Sequence, residues 1–365
     1  MMNLTSSNPR SIEVSTDVGS LYIDSELTPS STTNPLFIGY LLVTISASFL
    51  GTVGNLLVLG ALFVHKRLRV LSNVFVGNLA IADLCVSAII NPFSVVGVLN
   101  GDFLIRYPMI CGTIGALCII SCTCSMWNIA AISLNRYIAI CHRLTYHKIY
   151  NRKTIPFIVA SLWGLCFILD LPNVLGWGRH VFDTKALYCA YDYTTNYGYT
   201  LYLITFGFSI PMFIGSYCYV RIFFFFKRSK ERLKNLSKSD RHHSRIKTTD
   251  MRLLKSIGTI WALFMLMWSP YTTIVIFDFK GTWPQWFFIL SIALAHTNSC
   301  INSVLYAATN RNFREGYVIL LKRALCYRRG RLHSEVNIML NKRLKGASSS
   351  RASDVRADRL GCQSR

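Results

Sequence analysis

Apolar residues are not spread evenly along this chain. They gather in seven blocks, roughly 36–64, 72–98, 109–135, 155–177, 197–226, 253–279 and 284–307. A helix that crosses a bilayer needs about 20 mostly apolar residues, and every block reaches that length. No other feature constrains the fold as much. In hydrocarbon a backbone must satisfy its own polar groups, so each block has to be a helix. The expected fold is an all-α membrane protein, a seven-transmembrane helix bundle over residues 35–310. Proline or glycine inside several blocks fits, because membrane helices tolerate both.

The flanking segments read differently. Residues 1–34 are polar and rich in Ser and Thr, and are expected to be a disordered extracellular N-terminus. The run "RNFREGYVILLKRALC" at 311–326 is too short and too charged to span. Phe313, Tyr317, Leu320, Leu321, Ala324 and Leu325 recur at helical spacing, with Arg314, Glu315, Lys322 and Arg323 opposite. That pattern predicts an amphipathic helix on the inner membrane surface. Cys326 stands at its end, where a juxtamembrane thiol is either palmitoylated or left unmodified. Residues 327–365 read as a disordered cytoplasmic tail.

The net charge of +22 would suit nucleic acid if it lay on one solvated face. With the N-terminus outside, however, the extracellular basic residues are only Arg10, Arg106, Arg179, Lys185 and Lys280, which is 5 of 39. Arg221 lies within the fifth block, and the other 33 lie at or beyond the opposite face. This is the positive-inside pattern, and it makes anionic lipid rather than nucleic acid the partner of the basic runs. "MMNLTSSNPRSIEVS" has no apolar core of a signal peptide, so the first span is expected to direct insertion. Asn3 begins a glycosylation sequon on the outer side. The sequon at Asn235 falls in an inner loop, where it would be idle.

Most of the twelve cysteines, Cys118, Cys122 and Cys124 among them, sit inside spans and read as small buried groups. Cys111 and Cys189 instead face the oxidising side, where a bridge can persist. Polar residues inside spans tend to face the bundle interior. Asn55, Asp83, Ser125, Asn298, Ser299 and Asn302 are of this kind. If they meet, one carboxylate and several neutral oxygens form either a site suited to Na⁺ or a plain hydrogen-bond network. Asp170 in the fourth span is either a functional group or a structural carboxylate, paired with a hydroxyl or kept protonated.

Taken together, "GTVGN" ending at Asn55, "LAIAD" ending at Asp83, Cys111 with Cys189, "NRY" at 135–137, Trp163, Pro211 with Tyr219, "FMLMWSP" at 264–270 and "NSVLY" at 302–306 resemble the rhodopsin-like G-protein-coupled receptors. The resemblance covers about residues 36–326 and implies a Cys111–Cys189 disulfide. It also implies a heterotrimeric G protein as inner partner and a small extracellular ligand. In this light Arg136, flanked by Asn135 and Tyr137, is the arginine of the inner switch. Tyr219 and Tyr306 are its partners in that switch, and Asp250 is a candidate resting-state counter-ion. Two departures stand out: Asn135 replaces the usual acid, and Ser303 stands where proline is common. Both, with "KRLRVLSNVFV" at 66–76 and "ICHRLTYHKIY" at 140–150, resemble the melatonin receptor subfamily, which implies an inhibitory G protein.

The same resemblance assigns an outer pocket. Cys118 stands where amine receptors carry an aspartate, and His296 where opsins carry the retinal lysine, so neither a salt-bridged amine nor covalent retinal is expected. Asn173 matches the asparagine that holds melatonin's methoxy group, and Tyr191 replaces the phenylalanine that stacks on its indole. Tyr193 and Gly207 replace that subfamily's glutamine and histidine. Cys122, Asp170 and Trp268 complete the expected pocket. The alternative class, a seven-helix transporter or channel, lacks an inverted repeat or a matched pair of broken helices. An enzyme lacks any phosphate loop, zinc-protease or serine-hydrolase motif.

Overall fold

The computed structural model describes residues 34–234 and 248–323, leaving aside the side chains of 230, 232–234 and 248–257. The expectations for Asn3, Asn235, Cys326, the side chain of Asp250 and both termini fall outside the described residues.

Seven helices are long and apolar enough to cross a membrane: α1 (Pro35–Val64), α2 (Leu71–Leu99), α3 (Pro108–Cys141), α4 (Thr154–Trp177), α5 (Tyr197–Ser229), α6 (Gly258–Phe277) and α7 (Gln285–Thr309). Each lies within a few residues of its apolar block, and α3 runs six residues past the last of its own. Helix starts follow local chemistry. Asn34 caps α1 by accepting from the Leu36 amide at 3.0 Å, with Pro35 in the first turn, where a missing N–H costs nothing. Three interior prolines are accommodated by wider turns. A π-turn at Val86–Ile90 precedes Pro92, one at Asn173–Trp177 follows Pro172, and one at Ile204–Ser209 precedes Pro211. Each loosens the ladder where proline lacks a donor. α7, with Ser303 in place of proline, runs unbroken, and the Ser303 hydroxyl donates to the Cys300 carbonyl at 2.9 Å.

α3 is the central element: 67% of its most apolar stretch is buried, against 22% for α1. It packs on α2, α4 and α5. The outward faces stay apolar, with Leu42, Phe49, Phe213, Leu266 and Val304 exposed, as a lipid solvent requires. α1 closes on its neighbours through small residues. A Cβ on Gly54 would lie 2.8 Å from Ser303 Cβ, and one on Gly51 would lie 2.6 Å from Ser87 Cβ. Small residues of this kind let membrane helices approach closely.

Between α4 and α5 the chain forms an antiparallel hairpin, β1 (His180–Asp183) and β2 (Tyr188–Tyr191), with His180 opposite Tyr191 and Phe182 opposite Cys189. The Cys111–Cys189 disulfide ties β2 to the outer end of α3. All four β2 residues are buried. On the inner side, residues 311–323 are helical and pack back on the bundle. Phe313 stacks on Tyr306 at 5.1 Å, and the Tyr317 hydroxyl donates to the Ser303 carbonyl at 3.3 Å.

The disulfide closes a loop over a sequence separation of 78 residues. Loss of a native disulfide costs about 2–5 kcal/mol in small secreted domains, and a bundle held by lipid should lose less. Cys111→Ala and Cys189→Ala should each lower surface expression to the same level, and the double variant should be no worse than either. Cell-surface biotinylation measures this; additive losses would mean that the two thiols act separately.

Candidate functional site

The hairpin roofs a cavity between the outer halves of α3, α5, α6 and α7, whose empty space of about 580 Å³ includes its opening to solvent. Helical periodicity sets its walls. Cys118, Ile119, Cys122, Thr123 and Met126 recur along one face of α3, and Leu203, Ile204, Gly207 and Phe208 along one face of α5. Trp268, Tyr271 and Thr272 come from α6, Ile292 and His296 from α7, and Tyr188, Ala190 and Tyr191 from β2. Among the described lining residues none is Asp, Glu, Lys or Arg.

Three buried polar atoms of this wall lack a hydrogen-bond partner of ordinary geometry: Tyr191 Oη, Trp268 Nε1 and His296 Nδ1. An unpaired buried donor or acceptor costs about 1–3 kcal/mol, and three around one cavity mark groups kept for something that enters it. Burial holds the Tyr191 hydroxyl above the ordinary tyrosine range, although Tyr271 and Thr200 pull the other way. Tyr191 therefore stays a neutral donor. Aromatic contacts fix the wall. Tyr188 meets His296 edge-on at 5.4 Å, Trp268 stacks on Phe264 at 5.9 Å, and Tyr191 packs edge-on against Tyr199 at 5.9 Å.

Six of the nine expected pocket residues meet here: Cys118, Cys122, Tyr191, Gly207, Trp268 and His296. Tyr193 lies elsewhere, buried with its ring 6.2 Å from that of Phe288. Asn173 and Asp170 also lie off the cavity wall. His180 Nε2, from β1, is 3.1 Å from Asp170 Oδ1 and 2.8 Å from Asn173 Nδ2. A ring nitrogen carries at most one hydrogen, so it donates to Asp170 or accepts from Asn173, not both at once. Asp170 thus has a buried partner, which is its structural reading. Room for the hairpin comes from Gly115 on α3, where a Cβ would sit 3.1 Å from His180 Cδ2. His180, Tyr188, Tyr271 and Thr272 were not singled out from sequence. Tyr271 and Thr272 follow Trp268 by three and four residues, a helical signal that would have found them.

Outside the spans, two loop carboxylates are tuned in opposite directions. Burial raises Asp183 against the amides of Ala186 and Lys185. Burial also opposes ionisation of Asp192, but hydrogen bonds from Thr194, Thr195 and Arg179 win and hold it down at about 2. Asp192 therefore stays charged and anchors the segment leaving β2.

Deeper in the bundle the polar residues converge as expected. Asp83 is fully buried; its Oδ1 accepts from Ser125 Oγ at 3.0 Å and its Oδ2 from Asn302 Nδ2 at 2.8 Å. Ser299 contributes a further side-chain hydrogen bond. Asn55 Nδ2 donates to the carbonyls of Gly51 and Ser299, each at 2.9 Å. Asn298 is buried one position before Ser299. These partners of Asp83 are all neutral.

At the inner end of α3, Asn135 is buried and its Nδ2 donates to Tyr146 Oη at 3.4 Å. Tyr137 Oη lies 2.9 Å from His142 Nε2, and Arg136, between Asn135 and Tyr137 in sequence, is half-buried. Tyr219 packs on Trp261, ring centres 5.7 Å apart, and Tyr306 on Phe313.

Comparison with known proteins follows this geometry. Residues 54–306 match the family described as 7 transmembrane receptor (rhodopsin family). Melatonin receptor type 1A of Mus musculus is 33% identical over 271 residues, covering 73% of this chain and 75% of that protein. Melatonin receptor type 1B-B of Danio rerio is 29% identical over 285 residues, covering 76% and 80%. The crystal structure of squid rhodopsin matches with a TM-score of 0.68 over 79% of this chain and 86% of that one; at 22% identity this is a likeness of fold.

If Asn173 and Asp170 act by holding His180, Asn173→Ala and His180→Phe should each lower the thermal midpoint of the purified protein, by about 1–3 kcal/mol of stability. The two losses should not add. A scanning fluorescence melt of the single and double variants decides this. An unchanged midpoint in Asn173→Ala would free that residue for a ligand.

Proposed function

The chain belongs to the rhodopsin family of seven-transmembrane receptors, and from that premise we propose a receptor for a small, neutral, aromatic ligand of the indole class. It is a multi-pass membrane protein that couples to a G protein. Our reading places it in the plasma membrane with its N-terminus outside, acting through an inhibitory G protein. One observation carries the ligand class: an apolar cavity, with no charged lining residue, holds three unpaired polar groups, Tyr191 Oη, Trp268 Nε1 and His296 Nδ1. Such a wall suits a molecule with one flat ring system and two or three polar atoms. The melatonin receptor relatives support the same class. Melatonin itself fits less well, because Gly207 offers no polar ring and Tyr193 is turned away.

Signal transfer follows from α3 and α6. A ligand shifts the receptor only through different affinities for its two states. In the state that signals, α6 swings outward and opens an inner cleft beside Arg136, which accepts a helix of the G protein.

The test is G-protein activation in transfected cells, read as reduced cyclic AMP, with melatonin and a panel of indoles applied outside. Tyr191→Phe and His296→Gln should each weaken the active indole about tenfold, the worth of one net hydrogen bond. Arg136→Ala should abolish activation at an unchanged surface level. Activation by charged amines alone would overturn the ligand class, and ion flux without any G protein would overturn the receptor reading.

Asp83 extends the proposal. A buried carboxylate whose partners are neutral is costly when ionised. Asp83, Ser125 and Ser299, with Asn298 and Asn302 once the Asn302 amide turns its oxygen inward, offer oxygen donors of the kind that suits Na⁺. The ion would supply the missing counter-charge. At about ten times its Kd, linkage contributes roughly 1.4 kcal/mol. NaCl should therefore raise the thermal midpoint of the purified receptor relative to choline chloride, and Asp83→Asn should erase the difference. An equal salt effect in Asp83→Asn would place the ion elsewhere.

A further inference from the structure

Cys118 is one of two cysteine thiols on the cavity wall, and it is the one that faces a base. Its Sγ lies 3.9 Å from His296 Nε2, across from α3 to α7. Cys122, one helical turn further along α3, lines the same cavity and is in side-chain hydrogen-bond contact with Cys118. A second observation points to an occupant: His296 is only 4% exposed, lines the cavity, and keeps its Nδ1 without a partner. A thiol facing an imidazole is the pair that activates a cysteine nucleophile elsewhere, and it has to act here against the cost of forming a thiolate in apolar surroundings. The cavity would concentrate small apolar molecules beside it.

We propose that Cys118 is a covalent modification site for small, neutral α,β-unsaturated carbonyl compounds that enter the cavity. The thiol proton passes to His296 Nε2. The sulfur electron pair forms a C–S bond to the β-carbon, the alkene π pair shifts to join the α-carbon and the carbonyl carbon, and the carbonyl π pair moves onto oxygen, giving an enolate. The imidazolium then returns the proton to the α-carbon, leaving a thioether and neutral His296. Every atom of both reactants is retained and nothing is oxidised or reduced. The adduct occupies the space that a diffusible ligand would use, so a reactive lipid or metabolite of this class would hold the receptor in one state. The inference rests on the cavity and the Cys118–His296 pair alone, and not on which ligand or G protein the receptor uses.

Cys124 and Cys166 supply internal controls. Both are fully buried, pack in a separate cluster with Ala82 and Ile120, and do not line the cavity. Treat membranes bearing the intact receptor with N-ethylmaleimide, a small α,β-unsaturated imide, and follow each adduct by mass spectrometry with fragment assignment. Cys118 should react at least about tenfold faster than Cys124 or Cys166. His296→Gln should slow Cys118 by at least about tenfold, toward the lower range of base assistance, without changing the rate at Cys85 or Cys141. A maleimide carrying a fluorophore too bulky to pass under the β2 hairpin should spare Cys118. Equal rates at Cys118 and Cys124 in the wild-type protein would overturn the proposal, as would an unchanged Cys118 rate in a folded His296→Gln receptor. Labelling by the bulky maleimide at the N-ethylmaleimide rate would show that Cys118 is reached by opening of the bundle rather than through the cavity.

Discussion

A carboxylate placed inside hydrocarbon organises this bundle. Asp83 is fully buried, so its oxygens must be met by other helices, and α3 and α7 supply the donors in Ser125 and Asn302. One residue thereby fixes the rotation of three helices about their own axes. α1 joins through a different link, the Asn55 amide on the Ser299 carbonyl, and only because Gly51 and Gly54 let it approach. The rest follows from the same cost. Polar side chains turn inward, apolar ones turn outward to lipid, and the faces of α3 and α5 that line the cavity are set by that rotation.

Above this layer the hairpin is held by covalent and polar ties rather than by burial alone. The disulfide fixes β2 at Cys189, and His180 fixes β1 at Asp170 and Asn173. The two ties sit on opposite strands. Between them the roof of the cavity has little freedom, so Tyr188 and Tyr191 keep their positions over His296 and Tyr199 without help from a ligand. Three polar atoms remain unpaired in consequence. A looser roof would relax to pair them.

The spans and the Asp83 layer were legible in the sequence because their signals are long or chemically extreme: more than twenty apolar residues in a row, or a carboxylate among them. The hairpin was not. Each strand is four residues long, and the turn puts Leu187 at a φ of 59°, a left-handed conformation that leucine does not advertise. The hairpin also supplies Asn173 with a partner that the sequence does not announce. After Pro172 the helix widens into a π-turn that ends with Gly176 at a φ of 94°, so side-chain directions there no longer follow a 3.6-residue period. His180 then takes the amide. Tyr193 has the same cause: the strand ends at Tyr191, alternation stops, and the ring turns toward Phe288. Residues named by resemblance line the cavity where the backbone is regular, at Cys118, Trp268 and His296, and stand off it where the backbone is not.

The two departures from the usual family pattern have physical consequences of opposite kind. At Ser303 a backbone donor is regained, so α7 stays unbroken and packs against Gly54 along its inner half. A straight α7 also carries Tyr306 directly under Phe313 and so binds the inner helix at 311–323 to the bundle. At Asn135 a charge is lost, yet the position is not idle. Its amide donates to Tyr146 on the inner-loop helix Arg143–Ile149. An ionised acid there would hold the neighbouring arginine by charge. A buried amide instead ties α3 to its own following loop through a neutral contact, which at 3.4 Å is long for a hydrogen bond. Packing of the loop thus adds a restraint on the inner end of α3, and the Phe75–Tyr150 and Tyr146–Tyr150 contacts hold that loop against α2. Salt screens a charge pair but not such packing, so the part of the restraint that Asn135 supplies does not weaken as ionic strength rises.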